Sequence, residues 1–98
     1  MGSLCDEIQK LGKGIGNTAR YRIMEALMKG SRTVSQLVKS VKLSQPAVSQ
    51  HLKTLKSCKL VKDQKNGKEV SYSINVKHTV GILKIFVTHL NNRKKKRS

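Results

Sequence analysis

Residues 33–55, TVSQLVKSVKLSQPAVSQHLKTL, contain two helix starts about eleven residues apart. Thr33 and Gln36 have the spacing of a capping box, in which the two side chains satisfy two orphan backbone N–H groups. Ser44 is a second N-cap candidate, and Pro46 follows it in the first turn, where its missing N–H breaks no hydrogen bond. Two capped helices joined by a tight turn predict a helix-turn-helix.

The second helix of this pair separates an apolar stripe from a polar face without carboxylates. Val48, Leu52 and Leu55 recur at i, i+4 and i+7 and predict the buried stripe. Amide and hydroxyl groups, with a lysine, suit hydrogen bonding to base edges in a DNA major groove. The alternative is an ordinary solvated face. The polar face comprises Gln45, Ser49, Gln50 and Lys53.

The charge of the chain favours a polyanionic partner. The net charge is +16 over 98 residues, and only five of the positive residues lie in the terminal run from Arg93 to Arg97. A cationic body attracts nucleic acid. An anionic membrane surface is the rival, but aromatic residues make up only 3% of the chain. With no apolar run long enough to span a bilayer and no signal peptide, we expect no membrane association and a cytoplasmic location.

A β-hairpin is predicted after the helix-turn-helix. Asn66-Gly67 is a strong two-residue hairpin signal, because both positions accept positive φ. Val70, Tyr72 and Ile74 alternate with polar residues, as in a half-buried strand. A basic tip in this position predicts a wing that contacts the DNA backbone or minor groove. The alternative is a solvated hairpin tip.

Three further helices are predicted: residues 4–13, residues 18 to about 29 with Asn17 as N-cap and Gly30 at C′, and residues 76 to about 91. The last helix has an apolar arc of roughly 160°, wider than one core requires. A second copy related by a two-fold axis would cover the excess. The alternative is a monomer in which this helix faces only its own core.

Several stretches together carry a family resemblance: NTARYRI at 17–23, LSQPAVSQHL at 43–52, Leu55, Leu60-Val61, Gly67 and Tyr72-Ser73-Ile74. On these residues the chain resembles the ArsR/SmtB group of winged helix-turn-helix repressors. The resemblance implies a mainly α (α+β) fold of order α-α-α-α-β-β-α, with five helices and a two-stranded wing. It also implies a homodimer that represses transcription from a pseudo-palindromic operator in double-stranded DNA.

The expected sites follow from the pattern and the resemblance. The resemblance implies base contacts from the first turns of the second helix, with Pro46 limited to van der Waals contact: Gln45, Pro46, Ser49 and Gln50. Contacts to the DNA backbone are expected from Thr33, Lys53, Lys56, Lys65, Asn66 and Lys68. The dimer interface is expected at Leu4, Ile8, Leu11, Val80, Leu83, Val87 and Leu90. Residues 1–92 form the folded domain in this interpretation, and residues 93–98 a disordered basic tail.

The sequence favours neither metal nor thiol sensing. His78 and His89 keep the spacing of one metal site of the resembled family, but Val76 and Asn92 replace its carboxylates. Along one helix these histidines lie about 16 Å apart, too far to share an ion within one chain. Across an antiparallel dimer they could meet, but they would supply only two imidazoles per site, whereas zinc requires four ligands. Cys5 and Cys58 match no cysteine pair of that family. We therefore expect no metal and no cofactor, and no inducer is identified.

Three alternatives to a sequence-specific repressor are a protein that coats nucleic acid, an enzyme, and a winged helix that binds a partner and never contacts DNA. A protein that coats nucleic acid without sequence preference would also carry a charge of +16 and a basic tail. An enzyme is not expected, because the chain has no clustered carboxylates, glycine-rich phosphate loop or nucleophile elbow.

Overall fold

The structure is a computed structural model that describes the backbone of residues 4–97 and the side chains of residues 6–92. In chain order the elements of this part are α1 (Leu4–Ile15), α2 (Thr18–Leu27), β1 (Arg32–Thr33), α3 (Val34–Val41), α4 (Gln45–Ser57), β2 (Val61–Asn66), β3 (Glu69–Ile74) and α5 (Val76–Arg97). The strands form an antiparallel sheet of order β1-β3-β2. The predicted winged helix-turn-helix is confirmed.

The helix-turn-helix begins at the predicted caps. Thr33 Oγ1 accepts from the Gln36 N–H at 3.3 Å, and Gln36 Oε1 accepts from the Thr33 N–H at 2.9 Å, so both halves of the capping box are present. Ser44 Oγ accepts from the Ala47 N–H at 3.3 Å. Lys42, which ends α3, takes a left-handed φ of 56° that the sequence did not indicate.

The sheet has one strand more than predicted. The short strand β1 pairs with β3, with Arg32 opposite Tyr72 and Thr33 opposite Ser71. Two residues are too few to show an alternating pattern, so β1 has no signal in the sequence. This pairing joins Thr33, the residue just before α3, to the wing strand β3.

The hairpin is confirmed, but its turn lies one residue further along than predicted. Asn66 pairs with Glu69, so the central residues of the turn are Gly67 and Lys68. Gly67 has a φ of +65°, whereas Asn66 and Lys68 keep negative φ. A positive φ at the first central position alone is typical of a type II′ turn, and glycine adopts it without steric cost.

The core combines the inner faces of α2, α3 and α4. The predicted stripe residues Val48, Leu52 and Leu55 are fully buried. They pack with residues of the other elements in one cluster: Leu11, Ile23, Met24, Leu27, Leu37, Val41, Cys58, Leu60, Val61 and Ile82.

The outer helices differ from the prediction in their ends. α1 continues through Gly14 to Ile15, and α2 ends at Leu27 rather than near Lys29. Gly30 has the predicted positive φ, at +133°, but it lies two residues beyond the C-cap Met28 rather than at C′. α5 runs to Arg97 instead of ending near Asn91. The side chains of residues 93–98 lie outside the described part, and the disordered tail stays a prediction.

No helix in the described part of the chain is both long enough and apolar enough to cross a bilayer.

Candidate nucleic-acid interface

The polar face of α4 is open to solvent at its N-terminal half. All four residues predicted to contact bases are exposed there, and so is Lys53, while the opposite stripe is buried. α4 contains no aspartate or glutamate, so nothing on this helix repels a phosphate. The exposed set is Gln45, Pro46, Ser49 and Gln50.

The cap at Ser44 fixes where this face begins. Its hydroxyl oxygen accepts a hydrogen bond from the Ala47 N–H. Pro46 lies within the first turn, where its ring fixes a helical φ. The partial positive charge at a helix N-terminus adds about half an elementary charge beside the exposed amides. The first turn of α4 therefore combines hydrogen-bonding side chains with a field that favours an anionic partner.

The wing presents cations along an exposed hairpin. Lys65, Asn66 and Lys68 are all exposed at its tip, as the prediction of backbone contacts requires. Glu69 lies opposite Asn66 and brings one carboxylate to the same end. The tip therefore carries a small excess of positive charge.

Lys56 is engaged in an ion pair within the chain. Its Nζ lies 2.8 Å from Asp63 Oδ2 and joins the end of α4 to β2. This hydrogen bond raises the pKa of Lys56 and lowers the pKa of Asp63. The ion pair links the end of α4 to the base of the wing, a contact that no local sequence pattern indicates. The side chain of Lys56 remains largely exposed, so its phosphate contact stays a prediction.

Thr33 is half-buried, and its hydroxyl oxygen is occupied by the capping box. Its backbone N–H is occupied as well, by Gln36. Only the hydroxyl hydrogen is left to donate to a DNA phosphate. The predicted contact from Thr33 is therefore limited to one hydrogen bond.

The outer face of α5 exposes the apolar residues predicted for a dimer interface. Val80 is 40% exposed, Leu83 45%, and Val87 and Leu90 each 51%, and Phe86 adds to them at 41%. An apolar surface of this kind is rare on a soluble monomer. The alternative of a helix that faces only its own core does not fit these exposures.

The α1 residues of the predicted interface behave differently from those of α5. Ile8 is half-buried against the core, and Leu11 is buried within it at 8% exposure. Leu11 therefore contributes to the chain's own core and offers little surface to a partner. The side chain of Leu4 lies outside the described residues.

Comparison with known proteins identifies the family. The model of the arsR family of bacterial regulatory proteins matches residues 17–63. The transcriptional repressor PagR of Bacillus anthracis is 36% identical over 84 residues, which cover 85% of this chain and 83% of PagR. The chain belongs to the ArsR family of bacterial regulatory proteins.

Two further similarities place this ArsR-family chain among its relatives. The transcriptional repressor SmtB of Mycobacterium tuberculosis is 33% identical over 86 residues, and the match covers 88% of this chain but only 64% of SmtB. A solution structure from Mycobacterium bovis, described as a homodimeric winged helix-turn-helix DNA-binding domain and a possible ArsR-family regulator, has a TM-score of 0.73 at 25% identity. That match covers 97% of this chain and 87% of the other.

Within the described residues, this ArsR-family chain has no group of three or more potential metal ligands. His78 Nε2 lies 3.2 Å from Glu7 Oε2, and neither buried atom has a hydrogen-bond partner there. The contact links α5 to α1, and it is an ion pair only when His78 is protonated. Cys58 is a buried free thiol, and the side chain of Cys5 lies outside the described part.

One residue of the NTARYRI stretch makes a contact that the sequence analysis did not foresee. Arg20 reaches from α2 to the C-terminal end of α1, where its Nη2 and Nε donate to the Lys13 carbonyl at 2.8 and 3.1 Å. Its Nε also donates to the Gly14 carbonyl at 3.2 Å. A guanidinium satisfies carbonyls that the helix end leaves unpaired, and its charge complements the helix dipole. Arg20 thereby fixes α1 to the DNA-binding part of the ArsR-family fold.

Proposed function

We propose that this chain is a homodimeric transcriptional repressor that binds double-stranded DNA at a specific pseudo-palindromic operator. The observation that carries the proposal is the exposed, carboxylate-free face at the capped N-terminal half of α4. The family assignment and the names of the related repressors support it. The proposed location is the cytoplasm, and no catalytic role is proposed.

In this proposal the first turns of α4 enter the major groove. The side-chain amides of Gln45 and Gln50 can each make two hydrogen bonds to an adenine. Ser49 offers a hydroxyl, and Pro46 makes only van der Waals contact. Each well-placed bidentate pair is worth about 1–3 kcal/mol of discrimination against the wrong base.

Phosphate contacts position the protein without specifying the sequence. We assign them to exposed residues beside the groove and to the hydroxyl of Thr33, while Lys56 is held by Asp63. The exposed residues of this group are Lys53, Lys65, Asn66 and Lys68.

A second copy supplies the second recognition helix. The exposed face of α5 is the proposed contact between copies, together with α1, which packs beside it. Two half-sites on one side of B-DNA are separated by about 34–36 Å, one helical turn. An inverted repeat with that spacing is therefore the expected operator.

The test of sequence specificity is selection of bound sequences from random duplex DNA at about 150 mM salt. At this salt concentration, binding through phosphate contacts alone is weak. An inverted repeat should emerge. Gln50→Ala should relax preference at one position of each half-site. Lys65→Gln should weaken all sequences alike and reduce the dependence of log affinity on log salt by about one unit. Uniform binding with no preferred sequence would instead support the coating protein.

The test of assembly is sedimentation equilibrium of Leu83→Lys. A lysine in the centre of the α5 face would have to be buried unpaired, so we expect a monomer and a large loss of operator affinity. Asn92→Lys adds the same charge on the opposite side of the helix, about 180° from Leu83 at 100° per residue. It should remain a dimer. Equal behaviour of the two variants would contradict the assigned interface.

A further inference from the structure

A cavity of about 460 Å³ lies between α2, β1 and the end of α3, and it shares no residue with the exposed face of α4 or of α5. Its floor is formed by Ala26 and Val41, which are half-buried and buried. Its walls are polar: Arg22, Glu25, Lys29, Arg32, Ser40 and Lys42.

The walls carry four cations and one carboxylate. The ion pairs formed by described residues lie elsewhere, on α1, between α1 and α5, and at the base of the wing. Glu25 therefore neutralises none of these cations by direct contact. Arg32 donates to the Ser31 carbonyl at 2.9 Å, which leaves its charge unbalanced.

Four cations and one carboxylate leave an excess of three positive charges in the cavity walls. The ends of the neighbouring helices offset only part of this excess. α2 ends at Leu27 and α3 at Val41, so two negative helix ends lie beside Lys29 and Lys42. Each end is equivalent to about half an elementary charge. Together they offset about one of the three excess positive charges, and about two are left without a counter-charge.

Lys42 occupies its place in this wall at a conformational cost. Its φ of 56° is in the left-handed region, which is unfavourable for a residue with a side chain. After α2 the chain has Gly30 at positive φ, where no such cost arises. At the end of α3 the corresponding position is a lysine, which is exposed and lines the cavity.

We propose that this cavity is a binding site for phosphate groups, distinct from the base-contacting face. The guanidinium groups of Arg22 and Arg32 suit paired hydrogen bonds to phosphate oxygens, and the lysines add point charges. Ser40 offers a hydroxyl donor. A ligand with about two negative charges matches the uncompensated charge. The source of the phosphate is either a free phosphorylated small molecule or the backbone of bound DNA.

The test is a titration of the ¹⁵N-labelled full chain with inorganic pyrophosphate, at an ionic strength held constant with sodium chloride. Backbone amide shifts should saturate and concentrate in residues 22–32 and 40–42. Shifts spread evenly over the basic segments, or without saturation, would overturn the proposal. Because no operator is involved, this outcome is independent of whether the chain represses transcription.

Two charge-matched variants separate the cavity from the general positive charge. Arg22→Gln with Lys42→Asn removes two exposed cations from the cavity, and asparagine tolerates the left-handed φ. Pyrophosphate affinity should fall about tenfold or more, as expected for lost charge-assisted hydrogen bonds. Lys62→Gln with Lys77→Gln removes two exposed cations that lie outside the cavity and outside the proposed DNA contacts, and should change affinity less than about twofold, since salt screens distant charges. Equal losses would overturn the proposal.

A folding control and a second ligand complete the design. If the thermal unfolding midpoint of the cavity variant falls, Lys29→Gln alone replaces it, since Lys29 is exposed beyond the end of α2. A short duplex of random sequence is titrated in parallel. Cavity shifts with the duplex and not with pyrophosphate would assign the phosphate to the DNA backbone. Saturable shifts with pyrophosphate would assign it to a free ligand, and cavity shifts with neither would overturn the site.

Discussion

Gly14 is the position where a single added methyl group should be most informative. A Cβ at Gly14 would overlap Leu60 Cδ1 and lie 3.4 Å from Leu55 Cδ2. Both leucines are fully buried, so neither side chain has free space to rotate into. Gly14→Ala should therefore push α1 away from the core or force Leu60 out of its preferred rotamer.

The expected cost follows from two opposing effects. Overpacking a full core by one methyl group costs about 1–3 kcal/mol. Alanine is favoured over glycine inside a helix by about 0.8–1 kcal/mol. We expect a net loss of about 1 kcal/mol from the free energy of unfolding.

Gly12 provides the matched control on the same helix. A Cβ there would have no heavy atom within 4 Å, and the residue is exposed. Gly12→Ala should therefore stabilise the protein by up to about 1 kcal/mol. Because both variants share the gain in helix propensity, the difference between them measures the steric overlap with Leu60.

The assay is urea unfolding followed by circular dichroism, at one fixed protein concentration because a dimer's stability depends on it. Adding Leu60→Ala to Gly14→Ala should give a favourable coupling energy of about 0.5–3 kcal/mol, since it removes the overlapping carbon. If Gly14→Ala and Gly12→Ala shift the urea midpoint equally, the close packing of α1 on Leu60 is refuted.

Three further predictions concern contacts on either side of this core. Arg20→Ala should lower the free energy of unfolding by about 1–3 kcal/mol, and Arg20→Lys should recover only part of it, because an ammonium lacks the fork that spans two carbonyls; urea unfolding of both variants checks this. Ser44→Ala should cost about 0.5–2 kcal/mol, whereas Ser44→Asp should keep the cap yet weaken DNA binding in a gel-shift assay through repulsion of phosphate. The pKa of Asp63 is lowered by Lys56, so their pairing stabilises the fold above the ordinary pKa of aspartate and is lost as pH falls through the lowered value. Asp63→Asn should remove this contribution to the pH dependence of the free energy of unfolding, which urea unfolding between neutral pH and about pH 3 measures.

Local rules predict the helix-turn-helix well because its signals lie within a few residues of each other. The capping box of Thr33 and Gln36 needs only a spacing of three, and both of its hydrogen bonds are present. Ser44 caps α4 for the same reason. The buried stripe of α4 follows from periodicity alone, and the exposed face follows from the stripe.

The features that the sequence did not predict depend on distant partners. Arg20 contacts carbonyls six and seven residues away, in a different helix, and no local pattern specifies that reach. Gly14 looks like a helix breaker, yet here it allows α1 to approach Leu60 closely. The pairing of Lys56 with Asp63 depends on how α4 meets the wing, and no local pattern specifies it. Tertiary context decides all three.

The pairing of β1 with β3 makes the wing and the start of α3 one hydrogen-bonded unit. On the proposed operator, the groove contacts of α4 and the contacts of the wing would then keep a fixed distance from each other. Where the helical twist or groove width of the DNA does not match this distance, the duplex would have to deform. The intervening base pairs, which no side chain touches, would therefore influence affinity through their stiffness.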